Sequence, residues 1–367
     1  YDTIFLDFKR AFDKVPFRHM LAKVKSHGVG GRILAWITDW TESRTQCVVL
    51  NGEKSNLVEV LSSVVQGSVL GPVLFSIYIN DLDTAIDKIN EVLISKFADD
   101  TKLGKTISVP SDGLKLQCAL DQLATWSNIW GMELHPDKCV VLHFGHNNPR
   151  NKYSINGTPI EAKDSARDLG VTICDNVSPT THVNNVAKRA HVVLSQMKRT
   201  VTFRDSQVFA GLYKTYVRPL LEFSVQSWNP SKVSDINALE KVQRRALRMI
   251  TDQGDASYDE KLKRIGLTTL QARRERGDLL EVFKCMNDIN GLDKNDYFEF
   301  VQERHTIETR SFCDNLLVPE KCRSNLRQNY FSCRVVNVWN SLPLYVRTST
   351  SVNNFKNNYD EYLLQVK

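Results

Sequence analysis

The hydrophobic pattern changes character near residue 176. Before it, short apolar runs of strand length alternate with stretches of helical spacing; after it, long amphipathic helices take over. Strands separated by helices indicate an α/β or α+β layer for the first part. Residues 4–8, 92–97, 101–103, 140–144 and 169–173 read as strands, and 19–26, 32–41, 73–82 and 114–130 as helices. Asn51-Gly52 and Asn156-Gly157 have the composition of two-residue hairpin turns. Later helices are expected over 183–197, 205–226, 235–250 and 268–286, followed by a mixed aromatic and polar region.

Charge divides along the same line. Residues 1–175 carry 19 Lys+Arg against 21 Asp+Glu, net −2, and residues 176–367 carry 29 against 21, net +8. A basic second half suits a polyanionic partner. With 42% apolar and 25% charged residues the chain has the composition of a folded protein rather than a disordered one. No apolar run approaches the roughly 18–20 residues of a membrane span, so the reading is an intracellular protein without membrane partners. The eight cysteines read as free thiols. His305, Cys313, Cys322 and Cys333 lie eight or more residues apart, wider than zinc-knuckle spacing, and no structural zinc is predicted.

Phe97-Ala98-Asp99-Asp100 lies between two apolar runs and reads as a tight turn. Adjacent carboxylates there repel each other, and a hard divalent cation such as Mg²⁺ relieves the repulsion; Asp-Asp is also ordinary turn chemistry. Asp7 supplies a carboxylate on another strand. It interrupts the run Ile4-Phe5-Leu6-Asp7-Phe8, where an unpaired charge is expensive unless it binds a metal or the strand ends there. Two such positions converging on two metal ions about 3.5–4 Å apart is the arrangement for in-line phosphoryl transfer, in a polymerase or a nuclease.

Five segments in order carry these residues: Asp7-Phe8-Lys9-Arg10-Ala11-Phe12-Asp13-Lys14-Val15-Pro16, Gln66-Gly67-Ser68-Val69-Leu70-Gly71-Pro72, Phe97-Ala98-Asp99-Asp100, Gly131-Met132-Glu133-Leu134-His135-Pro136-Asp137-Lys138 and Asp168-Leu169-Gly170-Val171. Together they resemble five motifs of reverse transcriptases, most closely those of non-LTR (LINE-type), jockey-like retrotransposons. The resemblance implies an α+β fold: a right-hand polymerase palm, an antiparallel sheet with helices, over 1–175. A helical thumb and connection would cover 176–290, and a C-terminal region of unassigned role 291–367. It also implies two Mg²⁺ ions held by Asp7, Asp99, Asp100 and the carbonyl of Phe8. Phe12 matches the steric gate that rejects a ribose 2′-hydroxyl, and Ala11, Gln66 and Gly67 match positions around the incoming nucleotide. Lys138 matches the lysine that protonates departing pyrophosphate, and Leu169, Gly170 and Val171 match the primer grip. On residue type alone Phe12 reads as core, Lys138 as surface and 169–171 as plain strand. Asp13 and Asp81 read as structural.

The second half carries Tyr216-Val217-Arg218-Pro219, Trp228-Asn229-Pro230 and Val338-Trp339-Asn340-Ser341-Leu342-Pro343, phrases similar to those of the same family. Lys241, Arg244, Arg245 and Arg248 fall at i, i+3, i+4 and i+7, a basic helix face suited to phosphates or simply to solvent. Arg273, Arg274 and Arg276 form a second cluster. The family's partners are an RNA template, a DNA primer or target DNA, and deoxynucleotides, met in nucleus and cytoplasm. Only six residues precede Asp7, so the fingers and endonuclease that precede this motif in the family are expected to be missing. The reading is an RNA-directed DNA polymerase, with a catalytically silent nucleic-acid-binding remnant as the alternative. Phe12 and Ala98 disfavour an RNA-dependent RNA polymerase.

Overall fold

The chain folds around β1 (Asp2–Leu6), which alternates buried Asp2, Ile4 and Leu6 with half-buried Thr3 and Phe5. The computed structural model describes residues 1–86, 91–250, 254–301 and 315–366. They divide into two units, Tyr1–Val177 and Ser178–Lys367. After β1 come α1 (Phe17–Ser26), α2 (Gly31–Glu42) and four short strands, β2 (Thr45–Gln46), β3 (Val49–Leu50), β4 (Glu53–Lys54) and β5 (Val58–Glu59). Then follow α3 (Gly71–Ile79), β6 (Leu93–Phe97), β7 (Asp100–Lys105), α4 (Pro110–Trp130) and β8 (Val140–His143). β9 (Ser154–Ile155), β10 (Thr158–Pro159), β11 (Glu161–Ala162), β12 (Ser165–Asp168) and β13 (Val171–Cys174) complete the unit.

Five strands form one sheet in the order β11-β8-β1-β7-β6. β1 is antiparallel to both neighbours, and only the short β11 runs parallel, to β8. α4 lays Leu116, Ala119, Leu120, Leu123 and Ala124, at helical spacing, into a core with Ile4, Leu103 and Val141. The C-terminal end of α4 turns the chain back. Gly131 takes φ +71°, and the amide of Met132 returns to the Ser127 carbonyl, a Schellman closure that suits glycine. A Cβ at Gly131 would also meet the Pro16 ring at 3.0 Å.

Lys23 fastens α1 to the helices around it. It is 3% exposed, and its ammonium bonds Asp81 at 2.6 Å and the Tyr78 carbonyl at 2.7 Å. The Trp130 ring lies 3.7 Å away, with Trp126 and Tyr78 completing the cage. The Trp126 indole also donates to Asp81, which is therefore a structural carboxylate.

The second unit begins with α5 (Thr180–Thr200), α6 (Ser206–Leu212), α7 (Arg218–Glu222) and α8 (Val225–Trp228). The single helix expected over 205–226 is thus broken. A π-turn, Tyr213–Val217, precedes Pro219, which cannot donate to the helical ladder, and Ser224 takes φ +52°. α9 (Val233–Leu247), α10 (Tyr258–Arg264) and α11 (Leu270–Met286) follow. Residues beyond 290 share a core with α11, in which Leu279, Val282 and Phe283 meet Trp339, Phe355 and Tyr359. Trp339 is wholly buried and donates to the Asn315 carbonyl, which gives the Val338–Pro343 phrase a packing role. Among the described residues no helix is long and apolar enough to cross a membrane.

Removing Asp81 strands a buried ammonium. Asp81→Ala is expected to cost about 3 kcal/mol, read as a lower urea midpoint followed by the fluorescence of the tryptophans on Lys23. A cost below about 1 kcal/mol would mean that the aromatic cage alone holds the charge.

Candidate active site

β1 ends at Leu6, one residue before Asp7, so the strand lies two residues earlier than the 4–8 expected from the sequence. Leu6 pairs with Thr101; one step further along the register sets Asp7 beside Asp100. The β6–β7 turn consists of Ala98 and Asp99, closed by the pair Phe97 and Asp100. Strand pairing alone therefore gathers Asp7, Asp99 and Asp100 at one end of the sheet. Asp168 joins them from β12. Burial, and then the charges of Asp99, Asp168 and Asp7, push the Asp100 carboxyl above its ordinary value, while Lys102 opposes the shift.

The two aspartates that bracket β1 differ in their partners. Asp2 is fully buried, and its carboxylate receives bonds from His143 at 2.8 Å, Asn148 at 2.7 Å and Tyr153 at 2.6 Å. Asp7 Oδ1 is covered and, among the described residues, has no hydrogen-bond partner. The Lys138 ammonium stands 3.8 Å from it, beyond hydrogen-bond reach. A covered, unsatisfied carboxylate oxygen beside further carboxylates is a hard-oxygen donor set of the kind that Mg²⁺ takes. The donor types suit a divalent cation, but among the described residues only Glu320, Cys322 and Cys333 bring three candidate ligand atoms within 4.8 Å of one another, so the carboxylates here would have to draw together around an ion.

Backbone pairing sets the Phe8 carbonyl. The His135 amide donates to the Asp7 carbonyl and the Lys9 amide to the Glu133 carbonyl, both at 2.8 Å. These flank the bridge between Phe8 and Leu134, so the Phe8 carbonyl points away from that segment. Lys14 and Lys9 both clasp Glu133 and hold its carboxyl down at about 2. Cys139, buried against the Asp7 amide at 3.4 Å, has its thiol pushed up to about 11 by burial.

A cavity of about 270 Å³ is lined by Asp7, Asp100, Lys102, Lys138, Asp168 and neighbouring residues of β1, β8 and β12. The other predicted positions do not line it. Ala11 is core, and Phe12 stacks on Phe75 with centroids 4.2 Å apart. Gln66 is exposed and donates to Asp13 at 2.9 Å, and Gly67 takes φ +77°. Leu169 and Gly170 form the two-residue turn between β12 and β13, at φ +45° and +89°. Asp2, Lys102, Cys139 and the pairing role of Asp168 escaped sequence reasoning, since each is an ordinary residue at its place in a strand pattern.

In the second unit Lys241, Arg244 and Arg248 are exposed, but Arg245 turns to α5, bonding Ser195 at 2.9 Å and His191. The basic face is thus three residues, with Arg244 over the Tyr258 ring. The second cluster is spent internally: Arg273 pairs with Glu222, Arg276 with Asp360, and Arg274 is 1% exposed. His305 and Cys313 lie outside the described residues. Cys322 and Cys333, distant in sequence, do meet beside Glu320, because the short helix Asn325–Gln328 turns the chain back. Glu320 is already paired with Arg327.

Residues 3–173 match the family model described as reverse transcriptase (RNA-dependent DNA polymerase). Among curated proteins the chain is similar to RNA-directed DNA polymerases of mobile elements. The polymerase from mobile element jockey of Drosophila melanogaster is 28% identical over 256 residues, 67% of this chain and 28% of that protein. The probable RNA-directed DNA polymerase from transposon BS of the same species is 25% identical over 271 residues, 68% of this chain and 29% of that protein. The chain spans under a third of the length of these relatives. Among solved structures, apo telomerase from Candida tropicalis aligns with 79% of this chain and 50% of its own, at 13% identity and a TM-score of 0.41.

A divalent cation held at this site would compete with protons for Asp100. Because its carboxyl lies above the ordinary value in the folded chain, the fold keeps a proton that the unfolded chain has lost. Stability therefore falls as pH rises from the ordinary carboxylate range through the folded value. At neutral pH without divalent ions, Asp100→Asn is expected to raise the thermal midpoint by about 1–2 °C, the effect being small because solvent screens the site. Mg²⁺ raises the wild-type midpoint more than the variant's. A wild-type midpoint indifferent to Mg²⁺ would remove the metal from this site.

Proposed function

We propose that residues 1–177 act as the palm of an RNA-directed DNA polymerase. In this reading the chain joins the α-phosphate of a deoxynucleotide to a primer 3′-hydroxyl, with an RNA template and pyrophosphate as leaving group. The observation that carries it is the meeting of Asp7, Asp99 and Asp100 at one sheet end, with Asp7 Oδ1 covered and unpartnered. Asp7, Asp99, Asp100 and the Phe8 carbonyl would hold two Mg²⁺ ions, which when bound activate the attacking hydroxyl and stabilise the leaving oxygen. Lys138 is exposed and near Asp7, suited to hand a proton to the departing pyrophosphate.

Phe12 is braced by Phe75, and a ring that cannot retreat is what exclusion of a 2′-hydroxyl requires. Gln66 and Gly67 sit on the loop before α3, whose exposed glycine lets a nucleotide approach the backbone. The Leu169-Gly170 turn with Val171 is read as the primer grip. Lys241, Arg244 and Arg248 supply a basic strip for phosphates, and with it a thumb role for the helices after residue 177. Nucleus and cytoplasm are the compartments where such a template and target DNA are met.

Primer extension on an RNA template with deoxynucleotides and Mg²⁺ tests the reading. Asp99→Asn should lower extension by at least about a hundredfold, as expected for loss of a metal ligand. If the wild-type chain extends nothing yet binds template-primer in a salt-sensitive way, the silent nucleic-acid-binding reading takes its place.

A further inference from the structure

Among the described residues, β12 and β13 form a two-stranded sheet of their own, unpaired with the five-stranded one. Lys102 crosses between the two. It stands two residues after Asp100 on β7, hence on the same face of the strand. Its ammonium lies 2.6 Å from Asp168 Oδ2, and only 22% and 14% of the two side chains are exposed. Asp168 pairs with Val171 at the last rung before the Leu169-Gly170 turn. The ion pair therefore joins the base of that turn to the strand that opens with Asp100.

The pair also bears on the charge of the site. Lys102 and Asp168 act on Asp100 with opposite signs. An ammonium free of Asp168 would have Asp100, whose charge it already feels, and Asp7 on the wall of the same cavity as carboxylates to turn to. There it would compete with a cation for the same oxygens.

We propose that the Lys102–Asp168 pair is a positioning device, which fixes the Leu169-Gly170 turn against the carboxylates and keeps the Lys102 ammonium out of the metal's place. This rests on the reading of Asp7, Asp99 and Asp100 as a metal site. Neither partner is a catalytic residue; both act through others.

The two halves of the pair make opposite predictions for metal affinity and the same one for the turn. Mn²⁺ binding by the 367-residue chain is read from the electron paramagnetic resonance signal of the free ion, and mobility of residues 165–174 from amide hydrogen exchange. Asp168→Asn frees the ammonium and should weaken Mn²⁺ binding, on the order of fivefold. Lys102→Met leaves an additional free carboxylate and should tighten it. Both should speed exchange in the hairpin, and the swap Lys102→Asp with Asp168→Lys should slow it again. A merely structural bridge would move Mn²⁺ affinity in one direction for both single variants, and that result overturns the proposal. So does unchanged hairpin exchange in all three variants. Asp99→Asn separates the two levels: if it weakens Mn²⁺ binding while the pair variants behave as neutral, only the positioning role falls. If it leaves Mn²⁺ binding untouched, the metal site falls and the positioning role with it.

Discussion

Three carboxylates, those of Asp7, Asp99 and Asp100, are brought to one place where β1 meets the β6–β7 turn. The antiparallel register leaves no choice in the matter: with Leu6 opposite Thr101, the residues one step on are Asp7 and Asp100. At the other end of the same strand Asp2 is buried with three donors around it. That carboxylate anchors β1 to β8 and the loop behind it, while Asp7 is left with an oxygen that nothing in the described fold satisfies. The same strand is thus held firmly at one end and carries a carboxylate oxygen without a hydrogen bond at the other, which is what supports the proposal of a cation there.

Three of the described residues with left-handed backbone lie in the segments that carry these carboxylates, and others lie elsewhere in the chain. Arg10, Ala98 and Leu169 all take left-handed φ values, +48°, +53° and +45°. A side chain in that region costs about 1–3 kcal/mol, so the surrounding structure has to impose it. Here the imposing elements are visible: the bridge of Phe8 to Leu134 precedes Arg10, the β6–β7 ladder encloses Ala98, and the Asp168–Val171 rung encloses Leu169. Segment 133–135 reaches Phe8 only because α4 stops at Gly131 and reverses there. The direction of one carbonyl at the site thus depends on a helix end more than a hundred residues later in the chain.

Much of this was legible in the sequence because its signals are local. Strand and helix periods persist over several residues, Asn-Gly turns announce themselves, and adjacent carboxylates between apolar runs are conspicuous. Pairing between distant residues carries no local signal. Lys102 and Asp168 are each an ordinary polar residue of an alternating strand, as is Asp2, and only the fold shows what they touch. The helical spacing of 205–226 likewise hid the π-turn, which shifts the face by a single residue, although Pro219 was a visible breaker within it. Arginine clusters failed for a related reason. Amphipathic spacing tells which arginines share a face, but Arg245 and Arg273 find partners on neighbouring helices, so the basic surface is smaller than its sequence suggests.

Three hairpins in the first unit close with the same turn geometry, both central residues at positive φ: Asn51-Gly52, Asn156-Gly157 and Leu169-Gly170. The first two use the sequence that tolerates this shape best. The third puts leucine where asparagine would serve, and Leu169 is 43% exposed, so packing offsets only part of the cost. Folding alone would favour asparagine there. What holds leucine in this shape is the ladder on either side of it, which ends in the Asp168–Val171 rung. In the proposed primer-grip role, leucine would offer the sugar and base of a primer terminus an apolar surface that a hydrogen-bonding asparagine would not.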